Sequence, residues 1–351
     1  MSRCIQLARN GFYGAAPNPM VGAVIVHDGK IIGEGYHVRC GGPHAEVNAI
    51  RSVGNPELLK ESTIYVSLEP CSHYGKTPPC ADLIVEKGIP RVVVGCMDPF
   101  AKVAGRGIRK LQEAGIEVTV GVLETECLAL NRRFMTFHTH RRPYITLKWA
   151  ESADGFMDGL RTDYEKEKPY AFSTPYTRML VHRCRAGHQA ILVGRQTALA
   201  DNPLLNLRLW PGKSPLRLVV DRNGSLPKHL ALFNDGAETR VYLDALSVHP
   251  LYGEQAGVTC VRLDFSRDIL PQVLDDLYHL SVQSLLVEGG RRLLESFISA
   301  GLWDEIRVEQ SPVWLKEGVP SPSWPHGRIR TTEVERHLLV HILSSRGSSA
   351  V

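Results

Sequence analysis

Gly41-Gly42-Pro43-His44-Ala45-Glu46-Val47 is the stretch around which the first half of this chain is organised, together with Glu69-Pro70-Cys71 and Cys80 further along. One histidine and two cysteines are enough to bind a zinc ion and to leave its fourth coordination position open for water. Glu46 is too close to His44 in sequence to be an obvious fourth ligand, but it is well placed to move protons. The sequence therefore predicts zinc ligands at His44, Cys71 and Cys80, with Glu46 as the catalytic acid and base.

A structural zinc site is the main alternative, and it would need a fourth protein ligand. Cys40 and Cys96 are candidates, but neither belongs to a C-x-x-C knuckle. The order H-x-E followed by P-C is typical of zinc-dependent deaminases, in which zinc activates the water that attacks a ring carbon while the glutamate carries protons. Such sites usually end in C-x-x-C, whereas eight residues separate Cys71 from Cys80 here.

The composition predicts an ordinary globular protein of about two domains. The chain has 351 residues, of which 43% are hydrophobic and 22% charged, and one domain takes roughly 150 residues. A net charge of +4 suits a small anionic ligand at least as well as nucleic acid. The sequence has no run of ~18 apolar residues and no apolar signal segment at its start, so we expect no membrane association and a cytoplasmic location. The eight scattered cysteines favour a metal site plus free thiols over disulfides.

Alternating strand and helix patterns predict an α/β fold whose sheet is largely parallel after a first hairpin. The turn signal Asp28-Gly29 predicts that hairpin, from strands 21–26 and 31–35. Further strands are predicted at 63–68, 91–95, 116–122, 144–149, 190–193, 216–220, 240–243, 258–263, 284–287, 306–310 and 337–343, and helices at 3–11, 45–53, 80–87, 105–114, 174–185, 269–280 and 291–300. The basic stretch 131–143 predicts a solvated junction between two domains. The polar residues 344–351 predict a disordered tail.

Four segments of the first half resemble a single family. They are Asn18-Pro19-Met20-Val21-Gly22, Gly33-Glu34-Gly35-Tyr36-His37, His44-Ala45-Glu46-Val47-Asn48-Ala49, and the run from Glu69-Pro70-Cys71 through Lys76-Thr77-Pro78-Pro79-Cys80. Together they resemble the bifunctional deaminase/reductase of riboflavin biosynthesis, in which a long insert between the two cysteines is the norm. The resemblance covers residues 1–310.

The resemblance implies a cytidine-deaminase-like three-layer domain at 1–143 and a dihydrofolate-reductase-like domain at 144–343. It also implies one Zn²⁺ per chain in the first domain, NADPH in the second, and a homodimer or higher homo-oligomer. The implied substrate is the small diaminohydroxy-phosphoribosylamino-pyrimidine, which loses its 2-amino group before its ribose is reduced to ribitol. The implied contacts to the substrate in the first domain are Asn18, His37, Lys76 and Asp98.

The second half has no G-x-G-x-x-G between a strand and a helix, so a Rossmann site is not supported. Glu288-Gly289-Gly290-Arg291 follows a predicted strand and precedes a predicted helix, where backbone N–H groups favour a phosphate. The resemblance extends to Ser152-Ala153-Asp154-Gly155 and to a cofactor-binding loop at 197–203. The implied cofactor contacts are Ser152, Thr197, Asp201, Gly289, Gly290 and Arg291. Arg222 stands where the family commonly has a small residue, and we expect its guanidinium to pair with the 2′-phosphate of the cofactor. The implied substrate contacts are Lys148, Arg185, Leu205, Arg208 and Glu288.

Besides Arg222, three stretches depart from the family pattern: 98–101, 166–172 and 316–320. At 166–172 the chain lacks the Ser and Trp that touch substrate and cofactor in the family. A deaminase with an inactive or purely binding second domain is therefore an open alternative. Two further alternatives are a deaminase for another base, which the long insert between the cysteines disfavours, and a zinc-stabilised nucleic-acid-binding protein, which the mild charge disfavours.

Overall fold

The structure is a computed structural model that describes residues 1–72, 74, 78–99, 105–164, 166–247, 252 and 255–344. The chain divides into two units, Met1–Arg141 and Arg142–Val351. All eight cysteines belong to the described residues and are free thiols. Within those ranges, no helix combines the length and the apolar character needed to cross a membrane. Apart from Ser344, the predicted tail lies outside the described residues.

The first unit is a five-stranded sheet with helices in two groups. Its elements are α1 Ser2–Ala8, β1 Gly22–His27, β2 Lys30–Tyr36, α2 Ala45–Arg51, β3 Thr63–Leu68, α3 Cys80–Glu86, β4 Arg91–Cys96, α4 Arg106–Glu113, β5 Glu117–Val120, α5 Glu124–Leu130 and α6 Arg132–His140. The strand order is β2-β1-β3-β4-β5. β1 is antiparallel to both of its neighbours, and β3, β4 and β5 are parallel.

The predicted hairpin is confirmed, and its turn has the geometry that the sequence requires. Asp28 and Gly29 both have positive φ, 46° and 72°. A two-residue turn of this kind matches the twist of the flanking strands. Two apolar cores then hold the helices on the sheet. One contains Ala49 of α2, Ile84 of α3 and Leu111 of α4, and the other contains Ile5, Cys127 and Phe134 of α1, α5 and α6.

The second unit is built on a nine-stranded sheet. Its elements are β6 Tyr144–Glu151, β7 Phe156–Asp158, α7 Pro175–Ala186, β8 Ala190–Gly194, α8 Arg195–Asp201, β9 Leu216–Val220, β10 Thr239–Asp244, β11 Val258–Leu263, α9 Ile269–His279, β12 Ser284–Val287, α10 Arg291–Ser299, β13 Glu305–Gln310, β14 Val319–Pro320, β15 Arg328–Val334 and β16 His337–Leu343. The order is β11-β10-β9-β8-β12-β6-β13-β16-β15. The strands from β11 to β13 are parallel, and β16 is antiparallel to β13 and β15.

This topology brings the predicted second-half residues together. The carboxyl ends of adjacent parallel strands meet at one edge of a sheet. Val287 of β12 pairs with Leu147 of β6, so the next residues, Glu288 and Lys148, lie side by side. β8 is the other neighbour of β12, and it leads directly into α8.

The prediction of a solvated junction at 131–143 is wrong. Residues 132–140 form α6, in which Phe134, Met135 and Phe137 are buried. The surrounding arginines gave the stretch a polar composition that concealed an apolar face on a short helix. The resemblance placed a cofactor-binding loop at 197–203. Most of that stretch belongs to the helix α8, which spans residues 195–201. α5 and β15 were not predicted at all.

Candidate active sites

The three predicted zinc ligands converge in the first unit. His44 is the extended residue that precedes α2, Cys71 follows β3, and Cys80 begins α3. The Nδ1 atom of His44 lies 3.5 Å from the Sγ of Cys71 and 3.4 Å from the Sγ of Cys80. All three ligand atoms lie within 4.8 Å of one another. Among the described residues, no fourth side chain joins this group, so the geometry fits an ion with one open coordination position.

The chemistry of the donors also fits zinc. The Cys80 thiol and the His44 imidazole hold the pKa of the Cys71 thiol well below its usual range, at about 4. The backbone N–H of Cys80 also donates to the Cys71 sulfur, over 3.3 Å. A thiolate is the form of cysteine that binds a metal. One thiolate is thus already favoured before an ion binds.

Glu46 is held beside these ligands as the second residue of α2 and is only 3% exposed. Burial, followed by the negative charge of Cys71, raises the pKa of its carboxyl to about 7. A carboxyl with such a pKa can both accept and release a proton near neutrality. Glu46 is not part of the three-residue ligand group.

Two of the predicted substrate contacts form a pair beside the metal ligands. The Nδ1 of His37 lies 3.0 Å from the carbonyl oxygen of Pro43, which can only accept, so Nδ1 carries the proton. Its Nε2 is then free to accept from the Asn18 amide at 3.1 Å. The rings of His37 and His44 meet edge to face, with centroids 5.3 Å apart. Lys76 lies outside the described residues.

Asp98 is held through a residue to which the sequence gave no role, Glu69. The buried carboxylate of Glu69 accepts four backbone N–H groups. The donors are Asp98 at 3.3 Å, Gly105 at 2.9 Å, Gly107 at 2.9 Å and Ile108 at 3.4 Å. Glu69 therefore fastens both Asp98 and the start of α4 to the chain just before Cys71. The only sequence signal was its place in the Glu-Pro-Cys motif.

The second unit contains a cavity of about 470 Å³ at the carboxyl ends of its central strands. Seven of the predicted residues line it: Lys148, Thr197, Asp201, Glu288, Gly289, Gly290 and Arg291. The other wall is formed by residues 157–161, 164 and 169–173, most of which the sequence did not single out. Five predicted residues do not line this cavity: Ser152, Arg185, Leu205, Arg208 and Arg222.

Arg185 does not line the cavity, but it binds the carboxylate of Glu288, which does. Its Nε and Nη2 atoms donate to the two carboxylate oxygens of Glu288 at 3.1 and 2.7 Å. Burial by itself would raise the pKa of the Glu288 carboxyl, but the charges of Arg185 and Lys148 lower it to about 2. Glu288 is therefore a permanent anion at the floor of the cavity.

The other predicted residues outside the lining have local partners. Arg208 donates its backbone N–H to His182 Nδ1 at 3.1 Å, and Leu205 is buried in an apolar core with a φ of 49°. Ser152 donates to Asp154 at 2.6 Å and accepts from the Phe156 N–H at 2.9 Å. The exposed Arg222 pairs with Asp244 at 3.0 Å.

The glycine pair packs closely against α8 and β8. The N–H of Gly290 donates to Thr197 Oγ1 at 2.8 Å. A Cβ on Gly290 would lie 3.2 Å from the same oxygen, and one on Gly289 would lie 3.0 Å from Leu293. A larger residue at either position would therefore press on these side chains where α10 begins, and Thr197 is held at the same point.

Both halves of the chain match known protein families. Residues 1–96 match the model of the cytidine and deoxycytidylate deaminase zinc-binding region, and residues 143–335 match that of the RibD C-terminal domain. The riboflavin biosynthesis protein RibD of Aquifex aeolicus is 40% identical over 91% of this chain and 88% of its own length. That of Escherichia coli K12 is 37% identical over 90% and 87%.

Solved structures lead to the same family. A diaminohydroxyphosphoribosylaminopyrimidine deaminase and 5-amino-6-(5-phosphoribosylamino)uracil reductase from Thermotoga maritima superposes with a TM-score of 0.85 at 36% identity, covering 98% of this chain and 97% of that one. Acinetobacter baumannii RibD gives 0.84 at 31% identity, with 97% of both chains covered. The predicted fold class is confirmed, with a cytidine-deaminase-like unit followed by a dihydrofolate-reductase-like unit. The chain belongs to the RibD family of bifunctional riboflavin-biosynthesis enzymes, with a zinc-binding deaminase domain followed by a reductase domain.

Proposed function

We propose that this enzyme removes the 2-amino group of the diaminohydroxy-phosphoribosylamino-pyrimidine and then reduces the ribose of the product to ribitol with NADPH. We assign the first reaction to domain 1–143 and the second to domain 144–343. The observation that carries the proposal is the convergence of His44, Cys71 and Cys80 beside a buried carboxyl, Glu46. The names of the relatives supply the substrate.

In the deaminase, one Zn²⁺ per chain would be held by His44, Cys71 and Cys80, and would make water nucleophilic near neutral pH. Glu46 takes one proton from the attacking water and delivers it to the ring nitrogen. It then takes the proton of the new hydroxyl group and delivers it to the amino group, which leaves as ammonia while the ring carbon becomes a carbonyl. The pKa of about 7 suits this carboxyl to both halves of that transfer. Asn18, His37, Lys76 and Asp98 are the proposed substrate contacts.

In the reductase, NADPH would supply the hydride to the ring-opened ribose. We propose that it lies along Thr197, Asp201, Gly289, Gly290 and Arg291, which share the cavity. Ser152 and Arg222 have protein partners outside the lining, so the cofactor assignment depends mainly on the other five. Lys148 and Glu288 line the same cavity and are the proposed substrate contacts nearest the reacting carbon, with Arg185, Leu205 and Arg208 behind them.

The first experiment supplies the pyrimidine ribotide to the zinc-loaded protein and measures ammonia release and NADPH absorbance together. Ammonia with NADPH consumption is the expected result, and it would show that the altered residues 166–172 are compatible with reduction. Ammonia without NADPH consumption would contradict the second step and favour a deaminase with a binding-only second domain. Absence of ammonia from zinc-loaded protein would contradict the first step.

Glu46→Gln tests the acid–base assignment. The variant should bind zinc as wild type does and lose ammonia release by a factor of about 10² to 10⁴, the usual contribution of a positioned acid–base group. Glu57→Gln is the matched control, because Glu57 is an exposed carboxylate paired with Lys60 on the surface. Undiminished ammonia release by zinc-loaded Glu46→Gln protein would remove Glu46 from the mechanism.

We also propose a cytoplasmic homo-oligomer, at least a dimer, with small molecules rather than nucleic acid as its ligands. The eight free thiols support a reducing compartment. The oligomeric state comes from the family resemblance, and sedimentation velocity on the purified chain measures it. A monomer at micromolar concentration would contradict it.

A further inference from the structure

The cavity of the second unit is lined on one side by a segment with its own hydrogen-bond framework, the described residues 158–164 and 166–170, here called the 158–170 loop. Asp158 Oδ1 accepts the N–H of Gly159 at 2.9 Å and that of Tyr170 at 2.8 Å, which closes the loop at its base. Thr162 donates its N–H and its hydroxyl to the carboxylate of Glu167 at 3.2 and 3.0 Å. This loop is therefore a built part of the cavity, although its sequence departs from the family pattern.

Arg161 joins this loop to α8. Its Nη2 atom lies 2.6 Å from Asp158 Oδ2 on the loop and 2.6 Å from Asp201 Oδ1 at the end of α8. Its Nη1 atom donates to the carbonyl of Ala200 at 2.9 Å. The side chain is only 9% exposed, so these contacts are made largely out of water, where hydrogen bonds to charged groups contribute most.

The ionised form of Asp201 depends on the positive charge of Arg161. One guanidinium faces two carboxylates, so the group has a net negative charge at the edge of a cavity proposed to bind an anionic dinucleotide. Burial raises the pKa of Asp201, while Arg161 acts in the opposite direction. Without Arg161, the negative charges of Asp158 and Asp201 would repel each other and the phosphates of a ligand. The Nε of Arg161 is buried and has no acceptor among the described residues, so the guanidinium makes its contacts through its two Nη atoms.

We propose that Arg161 is a positioning residue of the reductase. It fixes the place and the charge of Asp201, and it holds the 158–170 loop against α8, so that the cavity is ready for the phosphate-bearing nicotinamide cofactor. This rests on the proposed reductase function. It also gives the altered part of the chain a role in cofactor binding.

The test compares Arg161→Met and Arg161→Lys with wild type in the full chain. The dissociation constant of NADPH is measured by fluorescence titration, and KM and kcat for NADPH by absorbance, with ammonia release as an internal readout of the first domain. Arg161→Met should bind NADPH about 10- to 100-fold more weakly, the range for lost hydrogen bonds between charged groups. The affinity of Arg161→Lys for NADPH should lie between those of wild type and Arg161→Met, because an ammonium cannot make the same set of contacts as a planar guanidinium. Ammonia release should not change.

Arg267→Met is the matched control. Arg267 pairs with Asp264 at 2.8 Å, as Arg161 does with its aspartates, but it is exposed and is not among the residues that line the cavity. Its removal should leave NADPH binding unchanged. The effect of Arg161→Met should also shrink when Asp201→Asn is already present, because Arg161 acts through the charge of Asp201.

Two results would overturn the inference. One is wild-type affinity for NADPH in Arg161→Met. The other is a loss in which KM for NADPH stays constant and only kcat and the melting temperature fall, since that is the signature of a merely structural role. Failure of the wild-type protein itself to bind NADPH would overturn the proposed reductase function and this inference with it. If the wild-type protein binds NADPH and Arg161→Met binds it equally well, only the inference about Arg161 is overturned.

Discussion

Replacing Glu69 by Gln should loosen the segment that holds Asp98 without removing zinc. Each carboxylate oxygen of Glu69 accepts two backbone N–H groups: Oε1 from Gly107 and Ile108, and Oε2 from Asp98 and Gly105. A glutamine can keep one of these oxygens. The other oxygen is replaced by the NH₂ group, which is itself a donor. The two backbone N–H groups that this oxygen accepted would then lose their acceptor.

The magnitude follows from that count. Two hydrogen bonds to a charged acceptor are lost, each contributing about 1.5–3 kcal/mol, so local opening should become easier by about 3 kcal/mol after partial relaxation. A change of that size corresponds to roughly a 100-fold faster exchange of amides that open locally. The backbone of Gly107 packs directly against this segment, since a Cβ there would lie 2.1 Å from the carbonyl oxygen of Pro70.

Hydrogen exchange with mass spectrometry on the full chain measures this directly at the amides of Gly105, Gly107 and Ile108. Zinc content should stay at the wild-type level, and KM for the pyrimidine should rise because the proposed contact Asp98 is no longer fixed. Glu57→Gln is again the control, since loss of its exposed pair with Lys60 contributes less than about 1 kcal/mol. Unchanged exchange at these three amides, with unchanged KM, would refute the reasoning.

Three further predictions concern the second unit and the metal. Arg185→Met should destabilise that unit by about 3 kcal/mol, because the buried Glu288 loses its hydrogen-bonded partner and keeps only the charge of Lys148 nearby. The double variant Arg185→Met with Glu288→Leu should lose less; thermal unfolding compares the two, and equal losses would contradict the pairing. The pKa of the His182 imidazole is lowered to about 4 by burial and then by Arg185 and Arg208. Its neutral form therefore stabilises the folded state fully above pH 6.5, and this stabilisation is lost as the pH falls from 6.5 towards 4. Melting temperatures between pH 7.5 and 4.5 should fall less steeply in His182→Asn than in wild type, and parallel curves would exclude His182 as a cause. Removal of zinc by a chelator should abolish ammonia release but leave NADPH oxidation intact when the deaminated product is supplied, and simultaneous loss of both activities would contradict separate sites.

The parts of the fold that local patterns determine were predictable, and those that depend on partners were not. The Asp28-Gly29 turn is specified by two residues that accept positive φ. β15 has six exposed residues out of seven and is ordered by its pairing with β16, so no hydrophobic alternation marks it in the sequence. α6 was missed because charged neighbours concealed three buried apolar side chains.

The same distinction applies to the sites. The zinc ligands were predictable because their spacing is itself the signal, and the structure brings all three together. Glu69 binds backbone amides 29 to 39 residues further along the chain, and Arg161 reaches Asp201 across 40 residues. Backbone amides have no sequence signature, and one arginine among many gives no sign of its partner. These residues can be found only from the folded geometry.

The two sites use the same side chain in opposite ways. Glu46 and Glu288 are both buried glutamates, yet burial and the nearby Cys71 raise the pKa of the first to about 7, while Arg185 and Lys148 overcome burial and lower that of the second to about 2. Environment, not residue type, therefore decides which carboxyl can carry a proton. Glu46 can exchange protons with water and a leaving group at neutral pH. Glu288, held as a carboxylate by Arg185 and Lys148, can pair with a cation or accept a hydrogen bond in the cavity.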